Sequence, residues 1–145
     1  MKKLVILLFT IPALTFGQVP KGANKIIISN DASKDQNMKH VIQTLIEAGY
    51  TIYKSDLEYG TIQTDEIPSA RKQPLHKFNF VIKDKSIQVS GYAKTGIGLV
   101  FSGVTVSDDW FQIENKGMKG STQMQVFLIM DEFSRKLIGS ISYLP

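Results

Sequence analysis

The chain alternates between short apolar runs and segments of mixed polarity, and the spacing of the apolar positions predicts its elements. Ile26 to Ser29 is a brief apolar run and reads as a buried strand. Ser33 then opens a helix: with Gln36 it forms an S-x-x-Q capping box, in which hydroxyl and amide satisfy early backbone N–H groups reciprocally. Met38, Val41, Ile42, Leu45 and Ile46 follow at offsets of 3, 4, 7 and 8, one apolar helical face. Gly49 suits the left-handed position after the helix, and Tyr50 can pack back on Leu45. Tyr50 to Lys54 and Tyr59 to Thr64 are β-rich and read as a hairpin around Ser55-Asp56. Glu66 to Pro74, with two prolines among charged and small residues, is a surface connection.

His76 to Lys83 and Ser86 to Ala93 form the clearest hairpin. With Asp84-Lys85 as a two-residue loop, Ile82 pairs with Ile87, Phe80 with Val89 and Phe78 with Gly91, all on one face. Lys77, Asn79, Gln88 and Ser90 then fall on the other, and a slip by one residue would destroy the agreement. Lys94 to Gly98 breaks the pattern with two glycines. Leu99 to Val106 reads either as a further strand or as an extended loop. Asp108-Asp109-Trp110-Phe111 follows, then a turn around Asn115-Lys116-Gly117.

A second helix starts near Ser121 or Thr122, where Thr122 and Gln125 offer another capping box. It runs to about Lys136, with Arg135 and Lys136 complementing the carboxyl-terminal dipole. Gly139 stops it and Ser140 to Leu144 is read as a short strand. This helix has two apolar stripes. Val126, Ile129, Met130, Phe133 and Leu137 cluster on one side and should face the sheet, while Met124, Phe127 and Leu128 lie nearly opposite. The second stripe requires cover from residues 94–111, with Trp110 or Phe111 as the lid, or else remains for a partner.

The fold class is therefore α+β: an antiparallel sheet of four to six strands with two helices packed on one face. The Lys25-to-Ser29 strand, the helix ending in Glu47-Ala48-Gly49-Tyr50 and the late helix around Val126 to Lys136 carry a resemblance. The pattern resembles small exported bacterial domains of unknown function with a helix-grip, or TATA-box-binding-protein-like, arrangement. The resemblance covers most of residues 24–140. It implies a fold and a compartment, and brings no catalytic or ligand motif with it.

The first residues change the picture. Met1-Lys2-Lys3 is a basic n-region, Leu4 to Phe16 is uncharged and nearly all apolar, and Thr15 and Gly17 suit the −3 and −1 subsites of a signal peptidase. A run of about 13 residues reaches about 20 Å as helix, short of a membrane core of about 30 Å, and Pro12 interrupts it. Residues 1–17 are thus expected to be a cleaved signal peptide. Residues 18–145 form a single exported α+β domain, destined for the periplasm or the medium, with no membrane span. The full chain carries 17 basic and 13 acidic residues, a net charge of +4; losing Lys2 and Lys3 leaves 15 against 13. The lysines are dispersed and arginine occurs only at Arg71 and Arg135, which argues against nucleic acid as a partner. There is no cysteine, so disulfides, thiolate metal sites, a cysteine nucleophile and a lipidated cysteine are excluded.

Candidate chemistry is sparse. His40 sits on the polar side of the first helix, two turns from Glu47, and reads as a solvated histidine; His76 reads as a strand-end residue. Gly96-Ile97-Gly98 lacks the third glycine of a dinucleotide loop, since position 101 is Phe101. Asp108 and Asp109 have only Glu114 nearby, too few oxygens for a calcium loop. No serine lies in G-x-S-x-G, and no metal or cofactor is expected. Trp110 and Phe111 either plug the core or act as binding anchors, tryptophan being enriched at interface hot spots. The expected function is a non-enzymatic binding or assembly module that contacts another envelope or extracellular protein. The contact candidates are Trp110, Phe111, Met124, Phe127 and Leu128. Its alternatives are an inhibitor or protective protein acting on an enzyme and, behind it, a small secreted hydrolase.

Overall fold

The computed structural model describes residues 19–67, 74–94, 100–101, 104–105 and 109–145; the expected signal peptide and the Gly96–Gly98 segment lie outside the described residues. The chain runs β1 (Lys25–Ser29), α1 (Lys34–Glu47), β2 (Ile52–Asp56), β3 (Thr61–Thr64), β4 (Leu75–Lys83), β5 (Ser86–Lys94), β6 (Val100–Phe101), β7 (Val104–Thr105), β8 (Phe111–Gln112), α2 (Thr122–Ser134) and β9 (Ser140–Leu144). Seven strands form one antiparallel sheet in the order β2-β3-β4-β5-β1-β9, with the two-residue β8 on β5. Two helices complete the α+β fold. Residues 99–106 supply β6 and β7, which pair with each other as a separate two-stranded piece.

The central hairpin has the register its alternation dictates: Ile82↔Ile87, Phe80↔Val89 and Phe78↔Gly91. All five large side chains of that face are buried. Lys85 takes a φ of 60°, the left-handed conformation that a two-residue hairpin loop demands. This turn also holds the start of α1. Asp84 Oδ1 accepts from Lys34 N–H at 2.8 Å, and the Lys85 N–H donates to Ala32 O at 2.8 Å. Ser33 caps α1 through the expected box with Gln36, and Gly49 (φ 81°) and Tyr50 close it by donating to Ile46 O and Leu45 O. That is the paired-bond ending a left-handed glycine permits.

Met38, Val41 and Leu45 from α1 meet Val126, Met130, Phe133 and Leu137 over the same sheet face, and these residues form one core. Phe133 marks the junction, its ring 5.8 Å from Phe78, 5.7 Å from Phe80 and 5.4 Å from Tyr50. Three local expectations are corrected. β2 continues through Ser55 and Asp56, and the turn is 57–60, because Asp56 Oδ1 accepts the Tyr59 N–H at 2.9 Å. α2 starts at the first of its two expected positions, with Ser121 capping it by accepting from the Met124 N–H in place of the Thr122–Gln125 box. Ile46, in the last turn of α1, stands 64 % exposed and does not join the buried face of Met38, Val41 and Leu45.

Candidate functional site

β5 has two neighbours along a single edge. β1 pairs with Ser86–Val89, and β8 continues the same edge by pairing Ala93 with Phe111 and Tyr92 with Gln112. Strand alternation then fixes the direction of the adjacent aromatics. Phe111, opposite the buried Ala93, turns to the helix side and packs half-buried against the core. Trp110 therefore goes to the other face. There it stands half-exposed with Lys77 Nζ 4.3 Å and Lys94 Nζ 4.8 Å from its ring centroid. Lys77 and Lys94 share that face with Asn79, Gln88, Ser90 and Tyr92, whose strand parity is opposite to the core positions. An indole with an ammonium group at this distance gains about 0.5–1 kcal/mol where it is solvent-exposed, enough to orient the ring.

The expected lid over the second stripe of α2 is thus not Trp110. Phe127 is 1 % exposed and is covered from β9, its ring 6.5 Å from that of Tyr143. It belongs to the core and offers no ring to a partner. Met124 is half-buried, and only Leu128, at 54 % exposure, remains open on that stripe. The same flank of α2 is clamped to β9 by polar bonds. Tyr143 O–H donates to Asp131 Oδ1 at 2.7 Å, Arg135 Nε donates to Oδ2 at 2.9 Å, and Arg135 Nη2 donates to the Tyr143 oxygen at 3.0 Å. Arg135, expected to serve the helix dipole, instead completes this network.

Both histidines are engaged within the fold. His76 is 2 % exposed, with Nδ1 3.0 Å from Pro74 O and Nε2 3.4 Å from the Tyr50 hydroxyl. The carbonyl requires a hydrogen on Nδ1, leaving Nε2 to accept from Tyr50. Burial lowers the His76 pKa from 6.5, against the opposing pull of the Pro74 carbonyl. Burial, with Glu132 adding to it, pushes Tyr50 up to about 12. With the ring 2 % exposed and both nitrogens bonded within the fold, His76 closes this end of the sheet together with Tyr50. His40 is half-buried instead of solvated: its Nε2 accepts the Ile138 N–H at 3.2 Å, tying α1 to the segment before β9.

His40 also borders a cleft of about 670 Å³, together with Asn30, Asp31, Gln36 and Asn37. Its polar lining is largely committed to structure. Asn30 and Asn37 bond to each other at 2.8 Å, Asn30 also donates to Ile138 O, and Asn37 donates to Lys83 O. Gln36 is used in the cap of α1. Among the described residues no three histidines or carboxylates are grouped as metal ligands, and no helix is long and apolar enough to cross a membrane. No protein-family model matches the chain, and no curated protein matches it in sequence.

Sequence reasoning singled out Trp110 and Leu128 as contact candidates, and both are accessible to some degree. It missed Lys77 and Lys94 as companions of Trp110. Strand parity places Lys77 on the polar face, but its convergence with Lys94 on one indole depends on where β8 docks.

Proposed function

We propose that this chain is an exported binding module without catalytic activity of its own, which contacts another protein of the bacterial envelope or the medium. The observation that carries this reading is Trp110, half-exposed between Lys77 and Lys94 on the sheet face turned away from both helices. A tryptophan oriented by neighbours yet reachable from solvent is the kind of side chain that concentrates binding energy at an interface. The signal-like segment Met1–Gly17 supports export, and the run from β1 through α1 to β2–β5, with α2 following after three two-residue strands, is in keeping with the helix-grip resemblance.

The test has two parts. Amino-terminal sequencing of the natively produced protein should begin at Gln18, and a retained Met1 would remove the export step. A photoreactive phenylalanine analogue at position 110 should then crosslink one recurrent envelope or extracellular protein. That crosslink should be lost when Lys77→Glu and Lys94→Glu are introduced together. Crosslinks that are scattered, or indifferent to both charge reversals, refute the Trp110 surface as the contact.

A further inference from the structure

The two ends of the main sheet differ in how they are protected. β2 closes one end and carries two devices that discourage edge pairing: the charged Lys54 and Asp56, and a register shift between Ile52 and Lys54. β9 closes the other end and carries neither. Its sequence, Ser-Ile-Ser-Tyr-Leu, is uncharged, and all five residues pair with β1 in unbroken register from Lys25↔Leu144 to Ser29↔Ser140. Among the described residues, the outer edge of β9 has no strand beside it. A straight, uncharged edge of this kind is a template for another strand.

We infer that the occupant is a second copy of this chain, its β9 pairing antiparallel with the first across a two-fold axis through Ser142. Only this register pairs all five residues of one β9 with all five of the other. On the helix side, Ile141 of each copy lies across from Tyr143 of the other, a favourable β-branched–aromatic pair; on the other face, Ser142 meets Ser142. Charge excludes the equivalent pairing at the opposite end. Full overlap of two β2 strands centres on Lys54 and sets one ammonium directly against another.

A five-residue edge alone buries less than the roughly 800 Å² per partner of a stable interface. The flank of α2 above β9 adds to it. Phe127 and Asp131 touch Tyr143 from this flank, and the half-buried Met124 and exposed Leu128 continue it outward as apolar surface. Two copies joined at β9 bring these flanks side by side and extend the antiparallel sheet through both. Such a contact is isologous and closes on itself, giving a dimer and no filament.

Sedimentation equilibrium of protein produced from the full chain tests this, with circular dichroism to confirm that each variant is folded. Wild type should sediment at twice the chain mass. Ser142→Lys and Ser142→Glu, both at an exposed position, should each loosen the dimer about fivefold by opposing like charges. An equimolar mixture of the two should recover wild-type affinity or better, because Lys then faces Glu. A monomeric wild type, a dimer insensitive to both charges, or a mixture no tighter than either variant would overturn the proposal.

Discussion

The hydroxyl of Tyr50 lies 3.4 Å from Nε2 of His76, and burial holds both groups in their neutral forms. The pair sits where the end of α1 meets the start of β4, against Phe78 and Phe133, with Tyr50 stacked 5.4 Å from Phe78. Protonating His76 would turn its Nε2 from acceptor into donor and place a charge against aromatic rings.

Acid should therefore weaken the fold. The unfolded chain takes up a proton on His76 near 6.5, whereas the folded chain does so only at lower pH. Between these two values the unfolded state binds more protons, so stability declines as pH falls below about 6.5 and levels off below the folded pKa. Urea unfolding at about pH 7 and about pH 5 should show this decline, and His76→Gln should flatten it.

Alkali should act through tyrosines. Burial is the leading cause raising both Tyr50 and Tyr143 to about 12, and Glu132 and Asp131 respectively add to it. Unfolded tyrosines ionise near 10, so their contribution is intact below about pH 10 and is lost as pH rises from there toward 12. Tyr50→Phe and Tyr143→Phe should each reduce the alkaline slope of melting temperature against pH. Tyr143→Phe should also lower stability at neutral pH, because Asp131 Oδ1 loses its donor.

Neighbouring positions on α2 should respond in opposite ways. Phe127→Ala empties a fully buried site and should cost about 3–5 kcal/mol in urea unfolding. Leu128→Ala removes a largely exposed side chain and should change stability by no more than about 0.5 kcal/mol. Similar losses at both positions would contradict the orientation of α2.

The central hairpin and α1 were legible in the sequence because local rules determine them. Alternation in residues 76–93 admits one register, and Ser33, Gln36 and Gly49 carry the start and stop chemistry of α1 within a few residues. What escaped depends on contacts distant along the chain. Phe127 is covered by Tyr143 because β9 returns beside β1, a placement that the local pattern of α2 does not encode. Trp110 points away from the helices because Phe111 lands opposite Ala93, and a two-residue strand shows too little alternation to declare its own register. His76 has the core parity expected, but its burial is completed by Tyr50 and Pro74.

Gly91 marks a close approach within the core. Its backbone angles are ordinary, yet a Cβ there would lie 2.7 Å from Lys77 O, 2.8 Å from Ile113 Cδ1 and 3.0 Å from Phe78 Cδ1. The missing side chain makes room for Ile113, which is fully buried and whose N–H donates to Gly91 O at 2.9 Å. Gly91→Ala should cost about 1–3 kcal/mol by overpacking. Ile113→Val in the same molecule should recover part of that loss, measured as non-additivity in a double-mutant cycle.

The pairing of β1 with β9 joins residue 26 to residue 143, so β1 waits for a partner strand made more than a hundred residues later. Until residues 140–144 arrive, Ile26 and Ile28 have a neighbour on only one side, and α2 lacks the strand that covers Phe127. Contacts of such long sequence separation form slowly, since the whole intervening loop must first be closed. A nascent chain of this design cannot complete its sheet before residues 140–144 have been made.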